Sequence, residues 1–324
     1  MKEEKKVSVI MPTYNEEKNI GECLNSLVDQ SYCMGKVDFI IIDGLSSDKT
    51  LEVVEQYRDK LNIRILLNEK RKVTYALNIG IDNAGGDYII RLDAHSVYAS
   101  DYIEKCVYYL DTTDADNVGG IAITKGKGLV GEINADILSS RFGVGGSKFR
   151  TIAESGYVDT VPFGAFRKEI FDKLGKFDPD LPRSEDNDMN SRIRQSGGKV
   201  YLASDIRFTY YCRNTIRGLL DQAVKNGNAL FFTLKHNKKA MSLRHFIPFL
   251  FAVSLILLIP LSAFFDVFAK LLLVELGAYS ILDILFSLLD GRKKYFVFKL
   301  LLYPVFHFSY GLGSILSFFG IRLY

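Results

Sequence analysis

The apolar residues of the N-terminal part fall into short blocks separated by polar, turn-forming stretches. Residues 7–11 read as a first strand, stopped by Pro12, which has no N–H for a central ladder. Residues 16–30 place Ile20, Leu24, Leu27 and Val28 at helical spacing, with Asn15 as the cap. Residues 39–42 predict a second buried strand, 50–60 a helix, 63–67 a third strand and 73–83 a third helix. Residues 88–92 predict a fourth strand. It is apolar and aromatic, with Arg91 the one interruption, and runs into Asp93-Ala94-His95. Strand and helix alternating at this spacing predict an α/β fold, with a mostly parallel sheet covered on both faces.

The pattern changes toward the C-terminus. Residues 246–265 carry no charge and are long enough to span about 30 Å of hydrocarbon. Residues 267–289 form a second apolar run, interrupted by Lys270, Glu275 and Asp283, and 300–320 a third, with Pro304 and His307 inside. Lys238, Lys239 and Arg244 precede the first run; Arg292, Lys293 and Lys294 follow the second. The positive-inside tendency puts both clusters on the cytoplasmic side, with the chain crossing out, back and out again. One residue separates the first two runs, so they require a very tight hairpin, or one run is re-entrant or interfacial. Between residues 207 and 244, basic residues dominate and Leu219, Leu220, Ala223, Val224, Leu230, Phe231 and Phe232 lie at roughly helical spacing. Such a basic amphipathic stretch suits an anionic membrane surface.

Composition narrows the classes. The 324 residues include 41 basic and 38 acidic ones, a formal charge of +3, so nothing global points to nucleic acid. Cys23, Cys33, Cys106 and Cys212 form no C-x-x-C pair, which argues against a structural zinc site and a disulfide framework. Met1 to Lys6 is charged and lacks the apolar core of a signal peptide.

Candidate chemistry sits where the predicted strands end. Asp93 and His95, at i and i+2, can face one ion; a carboxylate oxygen with an imidazole nitrogen suits Mn²⁺ and tolerates Mg²⁺. Ligands of open α/β sheets collect beyond the carboxyl ends of the strands. Tyr14 offers a ring for a base, Asp43 an acceptor for an imide N–H, and Glu16, Arg71 and Lys72 groups for ribose and phosphates. Each has a plainer use: helix cap, turn residue, packed aromatic or solvated charge. Together they describe a nucleoside-diphosphate pocket. No G-x-G-x-x-G follows the first strand, so a dinucleotide fold has little support. Downstream, residues 142–150 are glycine-rich and basic, hence a mobile loop without a Walker ending, and 158–166 read as strand and turn at a cleft floor. Arg183-Ser184-Glu185-Asp186-Asn187-Asp188 opens a short helix, where acids also serve as caps.

These residues carry a resemblance. Pro12-Thr13-Tyr14-Asn15-Glu16-Glu17 resembles the opening of family 2 glycosyltransferases, which have the GT-A fold. Asp43-Gly44-x-Ser46-x-Asp48-x-Thr50 is similar to their second-strand motif. Asp93-Ala94-His95 sits where they carry D-x-D, with His for the second Asp as in the succinoglycan-type exopolysaccharide branch. The resemblance covers residues 7 to about 230. It implies Mn²⁺ or Mg²⁺ at Asp93 and His95, and donor binding by Pro12, Tyr14, Glu16, Asp43, Arg71, Lys72 and Asp93. It further implies Asp186 as catalytic base with Glu185 beside it, and acceptor contacts from Gly145, Gly146, Ser147, Arg150, Phe163 and Gly164. Processive members carry Q-x-x-R-W; here Gln222-x-x-Lys225-Asn226 lacks the Arg and Trp, which points to single-sugar addition.

The resulting expectation is a GT-A catalytic domain at 1–210, interfacial helices at 211–245 and a membrane domain of two or three helices at 246–324. The chain would be a multi-pass membrane protein with its catalytic domain facing the cytoplasm. It would invert configuration in moving one sugar from a nucleotide diphosphate donor, a UDP-sugar, to a polyprenyl-diphosphate saccharide in surface polysaccharide assembly. Rival readings are a polyprenyl-phosphate sugar synthase and a non-enzymatic scaffold or sugar-binding subunit.

Overall fold

The computed structural model describes residues 4–151, 154–181 and 183–323; Met1, Lys2 and Glu3 of the charged N-terminal stretch lie outside them. The predicted alternation is present: β1 (Val7–Thr13), α1 (Ile20–Val28), β2 (Val37–Asp43), α2 (Thr50–Glu55), β3 (Ile63–Leu67), α3 (Val73–Asn83) and β4 (Tyr88–Arg91). Then come β5 (Ser96–Tyr98), α4 (Tyr102–Thr112), β6 (Asn117–Lys125), and the helices α5 (Gly128–Ser139), α6 (Arg141–Val144) and α7 (Lys148–Thr151). The chain continues through β7 (Gly156–Tyr157), β8 (Ala165–Arg167), α8 (Glu169–Leu174), α9 (Glu185–Gln195) and β9 (Val200–Tyr211). It closes with α10 (Ile216–His236), α11 (Ile247–Ser262), α12 (Asp266–Leu289) and α13 (Phe296–Phe318).

The strands form one mixed sheet in the order β3-β2-β1-β4-β8-β6-β9-β5, with β7 paired to β9. β3, β2, β1 and β4 run parallel, and β8 joins β4 antiparallel. The central strands β1, β2 and β4 are largely apolar because both of their faces are covered: Val9, Ile10, Phe39, Ile40, Ile41, Ile42, Ile89 and Ile90 are all buried. Gly80 lets α3 lie against this sheet. A Cβ there would stand 2.9 Å from Ile10 and 3.0 Å from Ile42.

Three local expectations change. β1 continues through Pro12, which pairs with Ile42 of β2, while its pairing with β4 ends at Ile10. The missing N–H falls on that already unpaired side, so no ladder bond is lost. α1 starts at Ile20, not at residue 16. Asn15 does not cap it; its Oδ1 accepts from the Ser47 N–H at 2.9 Å. Residues 142–150 are not one continuous loop but contain parts of α6 and α7.

The chain divides into one unit of Met1–Ile123 and Ala153–Tyr210, and another of Thr124–Ile152 and Tyr211–Tyr324. The insertion carrying α5 to α7 thus goes with the C-terminal helices. In that second unit Phe142 stacks on Phe286, with centroids 5.4 Å apart and planes 2° off parallel. His307 Nε2 is 2.9 Å from the Phe142 carbonyl. The Arg292 guanidinium bonds Glu132 Oε2 at 2.7 Å and Asp136 Oδ1 at 2.8 Å on α5. Residues 243–262, 266–289 and 293–318 are helical stretches long and apolar enough to cross a membrane. Ala263, Phe264 and Phe265 join the first two, giving the hairpin more room than a single residue would.

α10 is one helix whose apolar face is taken up by α13 rather than left bare. Its Asn228 Nδ2 donates to the carbonyls of Gly313 and Ile321, and Phe231 packs on Phe318. A chain ending at Asn237 is therefore expected to aggregate, because it uncovers this face. Size-exclusion chromatography of the truncated chain against the full one in detergent checks this. A monodisperse truncated species with α10 still protected from amide exchange would contradict it.

Candidate active site

Three parallel strands deliver their loops to one place. In register, Thr13 pairs with Asp43 and Asp43 with Leu67, so β1, β2 and β3 end side by side. The loops after β1 and β2 are bonded to each other. The Asn15 N–H donates to Ser46 Oγ at 2.9 Å, the Glu16 N–H to Thr50 Oγ1 at 2.7 Å and the Glu17 N–H to Asp48 Oδ2 at 3.2 Å. The Lys49 N–H returns a bond to Glu17 Oε2 at 3.1 Å. Ser46, Asp48 and Thr50 therefore shape the pocket rather than face a ligand.

Tyr14 is half exposed, and the Arg71 guanidinium lies 5.9 Å from its ring centroid. Asp43 is buried, its Oδ2 accepting from the Ser46 N–H at 2.9 Å and its Oδ1 from Ser46 Oγ at 2.6 Å. Lys72 precedes α3 and sits over Tyr75. Among the described residues, the non-glycine residues with positive φ are Asn15, Leu45, Arg71, Phe163 and Ser184. A left-handed Leu, Arg or Phe is uncommon and persists only where the surroundings enforce it, often at functional sites. Three of the five follow β1, β2 and β3, and the other two flank the next cluster.

That cluster is centred on Arg91. Its side chain is 4% exposed, so its charge must be met inside the protein. Nη2 lies 3.0 Å from Glu185 Oε1 and 3.5 Å from Asp93 Oδ1, and Nη1 bonds Asp186 Oδ1. The Phe163 ring lies 5.5 Å from the guanidinium carbon, within cation–π range. The Arg91 backbone N–H donates to Gly164 O at 3.0 Å. A Cβ on Gly164 would fall 2.0 Å from Asn117 Oδ1, so a glycine is needed there for packing. Phe163 and Gly164 are thus the floor under Arg91. Sequence reasoning passed Arg91 over as a blemish in a strand. The available signal was a lone guanidinium in a fully buried segment that ends in a carboxylate.

Three carboxylates face one cation. Burial, with Glu185 and Asp93 beside it, pushes the Asp186 carboxyl up to about 7 against the pull of Arg91. The Asp186 side chain keeps 22% exposure, so a ligand can reach it. Asp188 is turned away, paired with Arg192 Nε at 2.9 Å.

Beside Asp93, His95 Nδ1 is 3.0 Å from Glu16 Oε1 and its Nε2 is 3.9 Å from Asp93 Oδ2. Donating Nδ1–H to Glu16 leaves a lone pair on Nε2. Two acceptors that close suit a shared cation, with Glu16 orienting the imidazole from behind. Among the described residues no group of three His, Cys, Asp or Glu side chains has metal-holding geometry. Asp93 and His95 are the groups the protein would offer such an ion, with substrate phosphates supplying further oxygens.

A family model described as glycosyl transferase family 2 matches residues 8–175. The chain belongs to this family. A dolichyl N-acetyl-alpha-D-glucosaminyl phosphate 3-beta-D-2,3-diacetamido-2,3-dideoxy-beta-D-glucuronosyltransferase of Methanococcus voltae is 29% identical, over 94% of this chain and 95% of its own. The succinoglycan biosynthesis protein ExoA of Rhizobium meliloti is 28% identical, over 74% of this chain and 73% of its own. Among solved structures, the mannosyltransferase PcManGT of Pyrobaculum calidifontis, in complex with GDP-Man and Mn²⁺, is similar in fold. Its TM-score is 0.66 at 18% identity, covering 98% of this chain and 88% of that one. The chain is thus a family 2 glycosyltransferase with the GT-A fold.

In this glycosyltransferase the donor and base candidates Pro12, Tyr14, Glu16, Asp43, Arg71, Lys72, Asp93, His95, Glu185 and Asp186 all lie in the first unit. Gly145, Gly146, Ser147 and Arg150 lie in the second. Gly145 ends α6 in a left-handed conformation beside Arg244, and Arg150 Nη1 donates to Thr124 Oγ1 at 3.0 Å. Replacing Arg91 by Met should destabilise the protein by about 3–5 kcal/mol, the usual cost of stripping one partner from a buried ion set. The loss should shrink as the pH falls through about 7, where the raised Asp186 carboxyl takes up its proton and one repelling charge is gone. Thermal unfolding across pH reads this out; a wild-type melting curve for the variant at pH 8 would refute it.

Proposed function

We propose that the protein transfers one sugar, with inversion, from a UDP-sugar to a lipid-linked saccharide in surface glycan assembly. The carrying observation is the Arg91 cluster, in which the donor-side carboxylate Asp93 and the acceptor-side pair Glu185 and Asp186 share one buried guanidinium. Such an arrangement suits a single displacement. The acceptor hydroxyl oxygen forms a bond to the anomeric carbon while the bond to the diphosphate breaks on the opposite side. Asp186 takes the hydroxyl proton, and the raised proton affinity given by its surroundings matches a base working near neutrality. Glu185 orients the acceptor. Arg71 and Lys72 hold the phosphates, Tyr14 stacks on the base, and Asp43, braced by Ser46, accepts from the imide N–H. A divalent ion held by Asp93 and His95 would offset negative charge on the departing diphosphate. The Methanococcus voltae relative is named for action on a dolichyl-linked sugar, which favours a lipid-linked saccharide over a bare lipid phosphate as acceptor. The apolar helices and their flanking basic residues support a membrane protein whose catalytic face is cytoplasmic.

Activity should vanish in excess chelator and return best with Mn²⁺, and Asp93→Ala should lose donor binding along with turnover. In calorimetry UDP should bind better than GDP; equal affinities would reject the role given to Asp43.

Asp186→Asn should lower kcat by about a hundredfold or more while donor affinity barely changes. Because the base works deprotonated and its affinity for protons is raised, wild-type kcat should climb with pH through about 7. The residual activity of the Asn variant should lack this limb. Near-normal turnover would leave Asp186 only a helix-starting role, since Asn caps about as well as Asp.

A further inference from the structure

From His307 onward, α13 does not run along the α11–α12 hairpin. Within the hairpin, Phe251 stacks on Tyr279 with centroids 4.6 Å apart, and Ser254 Oγ donates to Glu275, so α11 and α12 are antiparallel neighbours. Lys299 Nζ donates to the Asp290 carbonyl at the end of α12, and from there α13 reaches Tyr279 and the first turns of α11. His307 Nδ1 is 2.8 Å from the Tyr279 hydroxyl. A Cβ on Gly311 would stand 2.2 Å from Pro248 O and 2.4 Å from Ala252 Cβ. The Phe318 ring lies 6.2 Å from Phe249. Between His307 and Phe318 the helix advances about 16 Å at 1.5 Å per residue. A helix aligned with the hairpin would by then stand near the far end of α11. Instead it is still beside the first turns of α11, so it crosses the base of the hairpin.

α13 runs with α10. Both leave α5: Asn134 Nδ2 donates to the carbonyls of Arg213 and Thr215 just before α10, and Arg292 pairs with Glu132 and Asp136 just before α13. Glycines set the contact. A Cβ on Gly227 would fall 1.9 Å from Tyr310 O, and one on Gly313 would fall 2.0 Å from Val224 O. Farther along, Asn228 Oδ1 accepts from the Leu323 N–H at 3.1 Å and the Arg322 guanidinium lies 4.8 Å from the Phe232 ring centroid. α10 carries Arg217, Asp221, Lys225, Lys235 and His236 along its length, too many charges for a helix in hydrocarbon. The face of α13 away from it is apolar: Val297, Leu301, Val305 and Leu312 are exposed, as is Phe319 just past its end. Its buried face carries Lys299, His307, Ser314 and Ser317.

We propose that α13 lies along the membrane surface, paired with α10 and with its outer apolar stripe set into the lipid. Only the α11–α12 hairpin then enters the bilayer. Lys238, Lys239, Lys293 and Arg322 consequently stand on one side, where they suit anionic headgroups. This replaces the third crossing expected from hydropathy alone and is independent of the catalytic assignment.

Lys293 and Leu323 flank α13 and nothing else, so their sidedness decides the matter. In a Cys33→Ser background, Lys293→Cys and Leu323→Cys would be labelled with a membrane-impermeant maleimide in sealed vesicles of known orientation. Both should react from the same face, and labelling from opposite faces would overturn the proposal. A second measurement uses the native sequence with an epitope tag after Tyr324. Protease should remove the tag in the vesicles in which Lys293→Cys reacts; removal only in vesicles of the other orientation would overturn it as well.

Discussion

One guanidinium with three carboxylates around it is the constraint on which the rest of the site depends. Arg91 cannot neutralise Asp93, Glu185 and Asp186 together, and it cannot leave, because it sits in a strand buried on both faces. Burial, together with the excess negative charge, raises the proton affinity of Asp186, and that charge makes the cluster receptive to a cation. The same geometry ties the end of β4 to the start of α9, two segments far apart in sequence. Removing Arg91 from such a set costs more than the pair contributes in isolation, because buried charges would be left unmet. Left-handed Phe163 and Ser184 stand at either side, so local backbone strain is spent where the side chains must converge.

The pocket beyond β1 and β2 follows a different logic. Its walls are two loops that satisfy each other's backbone groups. The backbone N–H groups of Asn15, Glu16 and Glu17 donate across the gap to Ser46 Oγ, Thr50 Oγ1 and Asp48 Oδ2. Most polar residues of these two motifs are thus consumed in holding shape, which leaves Tyr14 and Arg71 exposed at the mouth and Asp43 braced behind them. Pre-organised loops of this kind lower the ordering cost of binding.

The second unit shows how polar groups survive among apolar helices. His307 is bonded by Tyr279 and the Phe142 carbonyl, and Lys299 by the Asp290 carbonyl. Arg292 joins the start of α13 to α5 through side-chain and backbone acceptors. Glycines at 227, 311 and 313 bring helix backbones into near contact, close enough that any side chain there would collide with a neighbouring carbonyl.

Much of this was legible in the sequence. The order of the first four strands, the polar residues at their carboxyl ends, the Glu185-Asp186 pair and the three apolar runs follow from periodicity, turn chemistry and motif spacing, which are local properties. β3 and α3 match their expected bounds, because a clean apolar block between polar turns leaves little choice. Other features were settled by tertiary structure, since they depend on partners distant in sequence. Pro12 is tolerated inside β1 because β4 stops pairing at Ile10. The segment around Phe142 is helical because aromatic side chains of α12 and α13 enclose it. Arg91 became the centre of the site only when α9 brought two acids to it. Hydropathy likewise registers how apolar α13 is but not which way it runs; that direction comes from glycine contacts with α10, which no single stretch of sequence contains.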